Sequence, residues 1–200
     1  MNNNITGAAS FVGGGRDNEI TGADYAAIPG GYDCRLNAST ADYGTCFGLN
    51  AQPHSLMNLC HGSGQFSTRG DAITEEFTVR RQITHVANTW YDLLWDGSTG
   101  SYTPSPDRTD CLWNIYVQIV GLTAGAAKRW AYNIKGLVVN DGGSTSILVQ
   151  SKTVLYESDT SYDVQLATTG FSRLGVQVRT TSATDTIKWV ARGQVASVEQ

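Results

Sequence analysis

The segment Ile5-Thr6-Gly7-Ala8 returns fifteen residues later as Ile20-Thr21-Gly22-Ala23. Beside it, residues 10–17 (Ser-Phe-Val-Gly-Gly-Gly-Arg-Asp) align with residues 26–33 at an offset of 16, with Asp24 as the inserted residue. Looser copies follow at Cys46-Phe47-Gly48 and Cys60-His61-Gly62, at offsets of 18 and 14. This period is shorter than that of common helical repeats, so each unit is predicted to be one coil of a short-stranded β-solenoid.

Three sets of residues recur within the predicted coils. Small apolar residues are expected to point inward, glycines to allow the positive φ of frequent turns, and asparagines to lie at the joints between coils. The inward set is Ile5, Val12, Ile20, Ile28, Leu36, Cys46 and Leu59; the glycines are Gly7, Gly14, Gly22, Gly30, Gly48 and Gly62; the asparagines are Asn4, Asn18, Asn37 and Asn50. A flexible Gly/Asn-rich linker is the alternative, but a linker does not need apolar residues in register with its glycines.

The pattern Asn-x-x-Thr-Gly-Ala followed by Ser-x-Val-x-Gly-Gly resembles the head repeats of trimeric autotransporter adhesins, which also occur in phage tail fibres. This resemblance covers about the first third of the chain. It implies a left-handed parallel β-roll in which three chains pack into one trimer.

Composition narrows the functional classes. The chain has 200 residues, of which 40% are hydrophobic and 16% charged, with a net charge of -4. We expect no nucleic-acid partner, because phosphate binding needs a basic stripe, and no membrane insertion, because no run approaches the roughly 18 apolar residues of a spanning helix. The sequence shows no signal peptide, and Met1 followed at once by the repeat suggests the C-terminal piece of a longer protein.

A shift in composition predicts the domain boundary. Twelve of the 22 glycines lie in residues 1–70, whereas all five tryptophans follow residue 89. We therefore predict a β-roll over 1–70, a connector over 71–87 and a second domain over 88–200. The connector segment Asp71–His85 fits a strand or a short helix, and the alternation Phe77-x-Val79 favours the strand.

The second half of the chain alternates with period two. In Cys111-x-Trp113-x-Ile115-x-Val117-x-Ile119 the apolar residues share one face, and similar segments contain Trp130 and Trp189. Such alternation indicates half-buried antiparallel strands with these tryptophans in the core. About eight strands at this spacing predict a jelly-roll-like β-sandwich tip, so the whole chain is expected to be all-β and an intertwined homotrimer.

This half is also similar to a β-rich C-terminal domain of phage tail fibres. The resemblance rests on Leu94-Trp95-Asp96-Gly97, Trp113-Asn114-Ile115 and the ending Thr186-Ile187-Lys188-Trp189-Val190-Ala191-Arg192. It implies a distal tip that trimerises and touches the host surface, and it carries no catalytic motif.

The sequence contains no recognisable catalytic or metal-binding motif. We find no nucleophile elbow, phosphate loop or His-Glu-x-x-His motif, and the acidic pair Glu75-Glu76 is interpreted as solvated surface. The cysteines 34, 46, 60 and 111 contain no Cys-x-x-Cys spacing and are interpreted as free, buried apolar fillers, with a disulfide ladder as the alternative. We expect no metal, no cofactor and no enzyme activity.

Aromatic residues indicate a glycan site. Trp90 and Trp95 lie five apart, so a one-sided core cannot bury both from one strand. The long irregular segment 96–110 follows them, and loops of that length are usually functional or disordered. The predicted glycan-binding residues are Trp90, Trp95, Asp96, Tyr102 and Asp107; the alternative is that these residues form trimer contacts.

The leading hypothesis is a phage tail fibre tip, located on the virion and outside the cell, that binds host cell-surface polysaccharide or lipopolysaccharide and joins upstream fibre or tail proteins. A structural trimerisation and capping module without a receptor site is the first alternative. The third hypothesis is a bacterial adhesin head at the cell surface, and the fourth is a depolymerase.

Overall fold

A computed structural model describes residues 2–37, 42–53, 59–95, 110–123, 125, 127–169, 173–181 and 185–199. These residues form sixteen β-strands. The first eight, all short, are β1 (Asn4–Ile5), β2 (Phe11–Val12), β3 (Glu19–Thr21), β4 (Ala27–Ile28), β5 (Gly31–Tyr32), β6 (Arg35–Asn37), β7 (Thr45–Leu49) and β8 (Leu59–Ser63). The others are β9 (Ala72–Thr84), β10 (Tyr91–Asp92), β11 (Cys111–Thr123), β12 (Arg129–Asp141), β13 (Ser144–Glu157), β14 (Tyr162–Thr169), β15 (Arg173–Thr180) and β16 (Thr186–Glu199). Within the described ranges, no helix has the length and apolar character needed to cross a membrane.

The N-terminal strands form a β-solenoid of about three turns, as the repeat predicts. Strands β1, β3 and β6 pair in parallel along one side, and β2, β4, β7 and β8 pair in parallel along another. The strand registers confirm the four sequence offsets of 15, 16, 18 and 14: Ile5 opposite Ile20, Val12 opposite Ile28, Ala27 opposite Thr45, and Cys46 opposite Cys60.

The solenoid interior combines apolar residues with a hydrogen-bonded ladder. Ile20, Ile28 and Leu36 are fully buried, as predicted. Asn18, also buried, donates from its amide Nδ2 to the carbonyls of Gly14 (2.9 Å) and Gly31 (3.0 Å), and its Oδ1 accepts from the backbone N–H of residue 34 (3.1 Å). Side-chain amides that satisfy the backbone of the next coil lock consecutive coils together.

Several expectations for the coils are wrong in detail. Leu59 points outward and Cys60 takes the inward position, because the parallel register places Cys60 directly opposite the buried Cys46. Ile5 is exposed, since no described coil stacks on its outer side. Of the six glycines expected to have positive φ, only Gly22 and Gly48 do, and in two coils the positive φ falls one residue later, at Gly15 and Gly31.

Gly48 shows why a glycine is needed at the coil joint. Its φ is +105°, and a Cβ there would lie 2.1 Å from the carbonyl oxygen of Gly62 in the next coil. Both the conformation and the close approach of the neighbouring backbone therefore exclude a side chain.

The segment left open as strand or helix is strand β9, which joins the solenoid to the second half. It pairs antiparallel with β8 on one side and with β16 on the other. One ten-stranded sheet results, whose main path is β13-β12-β11-β16-β9-β8-β7-β4-β2 with β5 on β7. The division of the chain into 1–70, 71–87 and 88–200 stays a prediction.

Besides the ten-stranded sheet and the small parallel sheet β1-β3-β6, the described residues form a three-stranded sheet, β10-β15-β14, which shares a core with the long antiparallel strands. The predicted core residues Trp113, Trp130 and Trp189 are all buried there, which confirms the period-two interpretation. Two aromatic rings of the core pack directly over glycines. A Cβ at Gly193 would lie 2.0 Å from the Phe77 ring, and a Cβ at Gly121 would lie 2.4 Å from the Trp189 ring. Such cross-strand pairs fix the register of neighbouring strands.

His85, the residue directly after β9, lies between the sheet β10-β15-β14 and the ten-stranded sheet. Its ring makes edge contacts with Tyr91, Tyr162 and Trp189, and its Nε2 accepts a hydrogen bond from the indole Nε1–H of Trp189 (2.9 Å). Burial lowers the pKa of His85 to about 4, against a smaller opposing effect of Asp185. The neutral ring is therefore part of the packed core.

Candidate functional site

The outer face of the ten-stranded sheet has a groove of about 480 Å³ where the parallel solenoid strands give way to the long antiparallel ones. We call it the junction groove. Strands β7, β8, β9, β16 and β11 contribute its lining: Phe47, Leu59, His61, Thr74, Glu75, Glu76, Asn114, Tyr116, Gln194, Val195 and Ala196. This volume lies within the usual range of about 300–1,000 Å³ for small-ligand sites.

Strand register explains how residues distant in sequence meet in the groove. Two rows cross the strands at right angles, each made of residues that are direct partners in the sheet. The first row is Leu59, Glu76, Gln194 and Tyr116; the second is Phe47, His61, Thr74, Ala196 and Asn114.

Aromatic rings line both ends of the groove. Phe47 and His61 contact each other with ring centroids 4.8 Å apart and planes tilted by 36°. Tyr116 stands on β11, on the opposite side of the groove. Half-exposed rings offer flat apolar faces, which are the surfaces that stack on planar or ring-shaped ligands.

Between these rings lies a fixed carboxylate. Glu76 Oε2 accepts from Arg192 Nη2 at 2.6 Å, and its Oε1 accepts from Gln194 Nε2 at 3.0 Å. The Arg192 guanidinium, followed by the Gln194 amide, lowers the pKa of Glu76. An ionised carboxylate has about four acceptor positions, so two remain for hydroxyl groups of a ligand.

The pair Glu75-Glu76 is not a solvated pair, contrary to the sequence-based interpretation. Glu75 is buried on the opposite face of β9, because successive side chains of a strand alternate, whereas Glu76 faces the groove. Among the described residues, no group of three or more His, Cys, Asp or Glu side chains is arranged to hold a metal ion.

The four cysteines are buried and form no disulfide, as interpreted from the sequence. Burial raises the pKa of Cys111 to about 11, and the thiol of Cys34 donates to the carbonyl of Gly48 at 3.3 Å. Protonated, enclosed thiols are poor nucleophiles and poor metal ligands.

The sequence-predicted glycan residues lie elsewhere. Trp90 is half-buried, and the Arg179 guanidinium stacks over its ring at 4.5 Å. Trp95 packs against the main core. Asp96, Tyr102 and Asp107 fall outside the described residues. The prediction of a glycan site at these five positions is not tested by the arrangement of the two tryptophans and stays a prediction.

The junction groove could not be predicted from the sequence, because its residues come from strands that are up to about 150 positions apart in the chain. One partial signal exists: Thr74 and Glu76 alternate with buried residues on β9, so their outward direction follows from period two. Nothing in the sequence, however, gives the register that sets Glu76 opposite Gln194.

Solved structures with a similar arrangement include three phage proteins. A tailspike protein of Acinetobacter baumannii phage AM24 gives a TM-score of 0.34 at 9% identity, covering 88% of this chain and 33% of that protein. Tailspike gp49 of Acinetobacter baumannii bacteriophage Fri1, a capsular polysaccharide depolymerase, gives 0.38 at 11%, with coverages of 96% and 36%. The tailspike protein of Acinetobacter phage vB_ApiP_P1 gives 0.38 at 8%, with coverages of 96% and 39%.

The structural neighbours are thus phage tailspike proteins, and this chain spans little more than a third of their length. No protein-family model and no curated protein matches the chain. The expectation that this chain is not an enzyme is contradicted, because one of these neighbours is a depolymerase, and we withdraw it. Scores at this level transfer no residue roles.

Proposed function

We propose that this chain is the receptor-binding part of a phage tail protein and that its junction groove binds a polysaccharide of the host surface. The observation that carries the proposal is one combination in the groove: aromatic rings on both sides and a charged, hydrogen-bonded carboxylate between them. The tailspike neighbours are consistent with attachment to host glycan at the tail of the virion.

A sugar ring suits the groove on chemical grounds. One face of a pyranose is apolar and stacks on aromatic rings, a role that Phe47, His61 and Tyr116 can fill. Its hydroxyl groups need donors and acceptors held in place, and Glu76 and Gln194 already hold each other at 3.0 Å. Binding to a prearranged site loses less conformational entropy.

The finer features belong to the same proposal. We infer a jelly-roll-like sandwich in the second half, a homotrimeric assembly and a distal position on a fibre that joins upstream tail proteins. In support of the assembly, a coil of about 15 residues encloses few inward side chains, so neighbouring chains add to its core. A shared core makes folding dependent on association.

A glycan array with His61→Ala as the key variant tests the proposed function. The wild-type chain should bind a subset of bacterial capsular or lipopolysaccharide oligosaccharides. Removal of the exposed His61 ring should weaken that binding by about 1–3 kcal/mol, the scale of a stacking anchor. Tyr43→Ala, which removes an exposed ring outside the groove, is the matched control and should bind like wild type.

Three outcomes distinguish the proposed function from its alternatives. Equal binding by the wild type and His61→Ala places the ligand elsewhere, and a Trp90→Ala arm then asks whether the sequence-predicted site binds it. Absence of binding to every glycan favours the structural trimerisation and capping module. Release of reducing ends, measured on any bound polysaccharide, reports whether the chain cleaves what it binds.

A further inference from the structure

The junction groove has a fixed carboxylate on its wall and no cationic side chain among the described residues that line it. Glu76 faces the groove, whereas no lysine or arginine belongs to the described lining. Lys135 is the strand partner of Tyr116 on β12, and it lies outside this lining. The charge that a ligand meets in the groove is therefore that of Glu76 and of the group that holds it.

The guanidinium of Arg192 holds this carboxylate from outside the groove. Its Nη2 lies 2.6 Å from Glu76 Oε2, and the side chains of Arg192 and Glu76 are 55% and 29% exposed. The register places Gln194 opposite Glu76 and Arg192 opposite Thr78, one outward position further along β16. The ion pair thus presents its carboxylate to the groove, while its guanidinium is not part of the lining.

Hydrogen-bond chemistry makes such a carboxylate selective. An ionised carboxylate accepts hydrogen bonds and donates none, so the ligand groups that meet Glu76 must be donors. A sugar hydroxyl or the N–H of an acetamido group meets this requirement. The carboxylate of a hexuronic acid does not, because it also only accepts and carries the same charge. Placed against Glu76, it would leave polar groups without partners, which costs free energy.

The other polar groups of the groove suit an uncharged ligand as well. The Thr74 hydroxyl, the Asn114 amide and the Tyr116 hydroxyl stand on three strands of the lining, and each can both donate and accept. They can satisfy the hydroxyl groups of a neutral sugar. They supply no positive charge, however, to offset the cost of taking an anionic group out of water.

We propose that the junction groove selects uncharged sugars, hexoses and N-acetylhexosamines, over hexuronic acids and other anionic sugars, and that Glu76 sets this preference. The inference rests on the proposed function, because it names the ligand class of the same groove. Arg192 is a positioning residue in this scheme. It fixes the direction of the Glu76 carboxylate and offsets part of its charge without lining the groove.

Matched pairs of oligosaccharides test the preference. Each oligosaccharide that binds on the glycan array is compared with a counterpart that differs only in charge. In a neutral binder the hydroxymethyl groups are oxidised to carboxylates, and in an acidic binder the carboxylates are reduced to hydroxymethyl groups. The wild type should bind the neutral member at least about tenfold more tightly, a ratio that corresponds to about 1.4 kcal/mol and to the cost of one unsatisfied polar group.

Two opposite charge changes at the ion pair should move this ratio in opposite directions. Glu76→Gln keeps the size of the side chain but is neutral and offers an N–H donor, so the two members should bind almost equally. Arg192→Gln leaves the carboxylate without its counter-charge, so the preference should grow. Glu19→Gln is the matched control, because Glu19 forms the same kind of pair with Arg35, at 3.2 Å, outside the groove. It should keep the wild-type ratio, whereas a purely structural role of the Glu76–Arg192 pair would weaken both members alike.

The outcomes separate this inference from the proposed function. A wild type that binds both members equally, or the acidic member more tightly, overturns the inference, and weaker binding by His61→Ala would still leave the groove as the glycan site. A preference that Glu76→Gln retains in full overturns the role of Glu76. Binding to no oligosaccharide at all removes the proposed function and the inference with it. Thermal melting establishes that each variant is folded, and the comparison on the wild type needs no variant.

Discussion

His85 is predicted to make the stability of this fold depend on pH between about 6.5 and 4. The ring is 1% exposed, and its Nε2 accepts the indole N–H of Trp189, so a proton on Nε2 would face another donor. Burial lowers the pKa of His85 from 6.5 to about 4 in the folded chain. Protonation therefore favours the unfolded chain, in which the ring is hydrated.

The sign and size of the effect follow from this pKa. Above pH 6.5 the ring is neutral in both states and costs nothing. As the pH falls from 6.5 to about 4, the unfolded chain binds a proton that the folded chain does not, so stability declines. At about 1.4 kcal/mol for each pH unit, the full loss is about 3 kcal/mol.

The assay is urea denaturation at a series of pH values from 8 to 4.5, with the wild type and His85→Gln. Glutamine keeps an acceptor for the Trp189 N–H but does not titrate, so the variant should lose the decline seen in the wild type. His61→Gln, at an exposed histidine, should keep it. Stabilising carboxylates such as Asp71, whose pKa is lowered, add acid sensitivity only from about pH 4 downward. Equal pH profiles for the wild type and His85→Gln would show that His85 is not the source of the decline in stability.

Three further predictions concern packing. Gly193→Ala should lower the free energy of unfolding, measured by urea titration, by about 1–3 kcal/mol or more, because the added Cβ would clash with the Phe77 ring. Gly30→Ala is the control and should be nearly neutral, because a Cβ there would meet open space. Trp113→Ala should lower the free energy of unfolding by about 3–5 kcal/mol, and a thermal melt close to that of wild type would contradict its place in the core. The four buried cysteines should react with a thiol reagent only after guanidinium is added; fast labelling of the native chain would refute their enclosure.

The solenoid could be predicted from the sequence because its repeat is local. An offset of 15 between Ile5 and Ile20 is at once the length of a coil and the register of two parallel strands, so one number gives both. The inward face was harder to assign where the pattern weakens. At Leu59 and Cys60 two adjacent residues are apolar, and only the pairing with Cys46 shows which of them is buried.

The groove depends on information that the sequence does not hold locally. The alternation of apolar and polar residues predicts that Tyr116, Gln194 and Glu76 face away from the core. It does so within each strand and says nothing about which strands are neighbours. Which outward residues meet is decided by the order β11-β16-β9-β8, a set of pairings between distant segments. Sequence reasoning therefore favoured aromatic residues next to a long loop, where composition alone is conspicuous.

The junction groove is tested most directly by the structure of the chain with an array-positive oligosaccharide bound. We expect one sugar ring stacked on the Phe47–His61 pair or on Tyr116, with hydroxyl groups donating to the Glu76 carboxylate within about 3 Å, the ordinary hydrogen-bond distance. An oligosaccharide found instead beside Trp90 and Arg179, or anywhere else that leaves the groove empty, would show that the junction groove is not the glycan site.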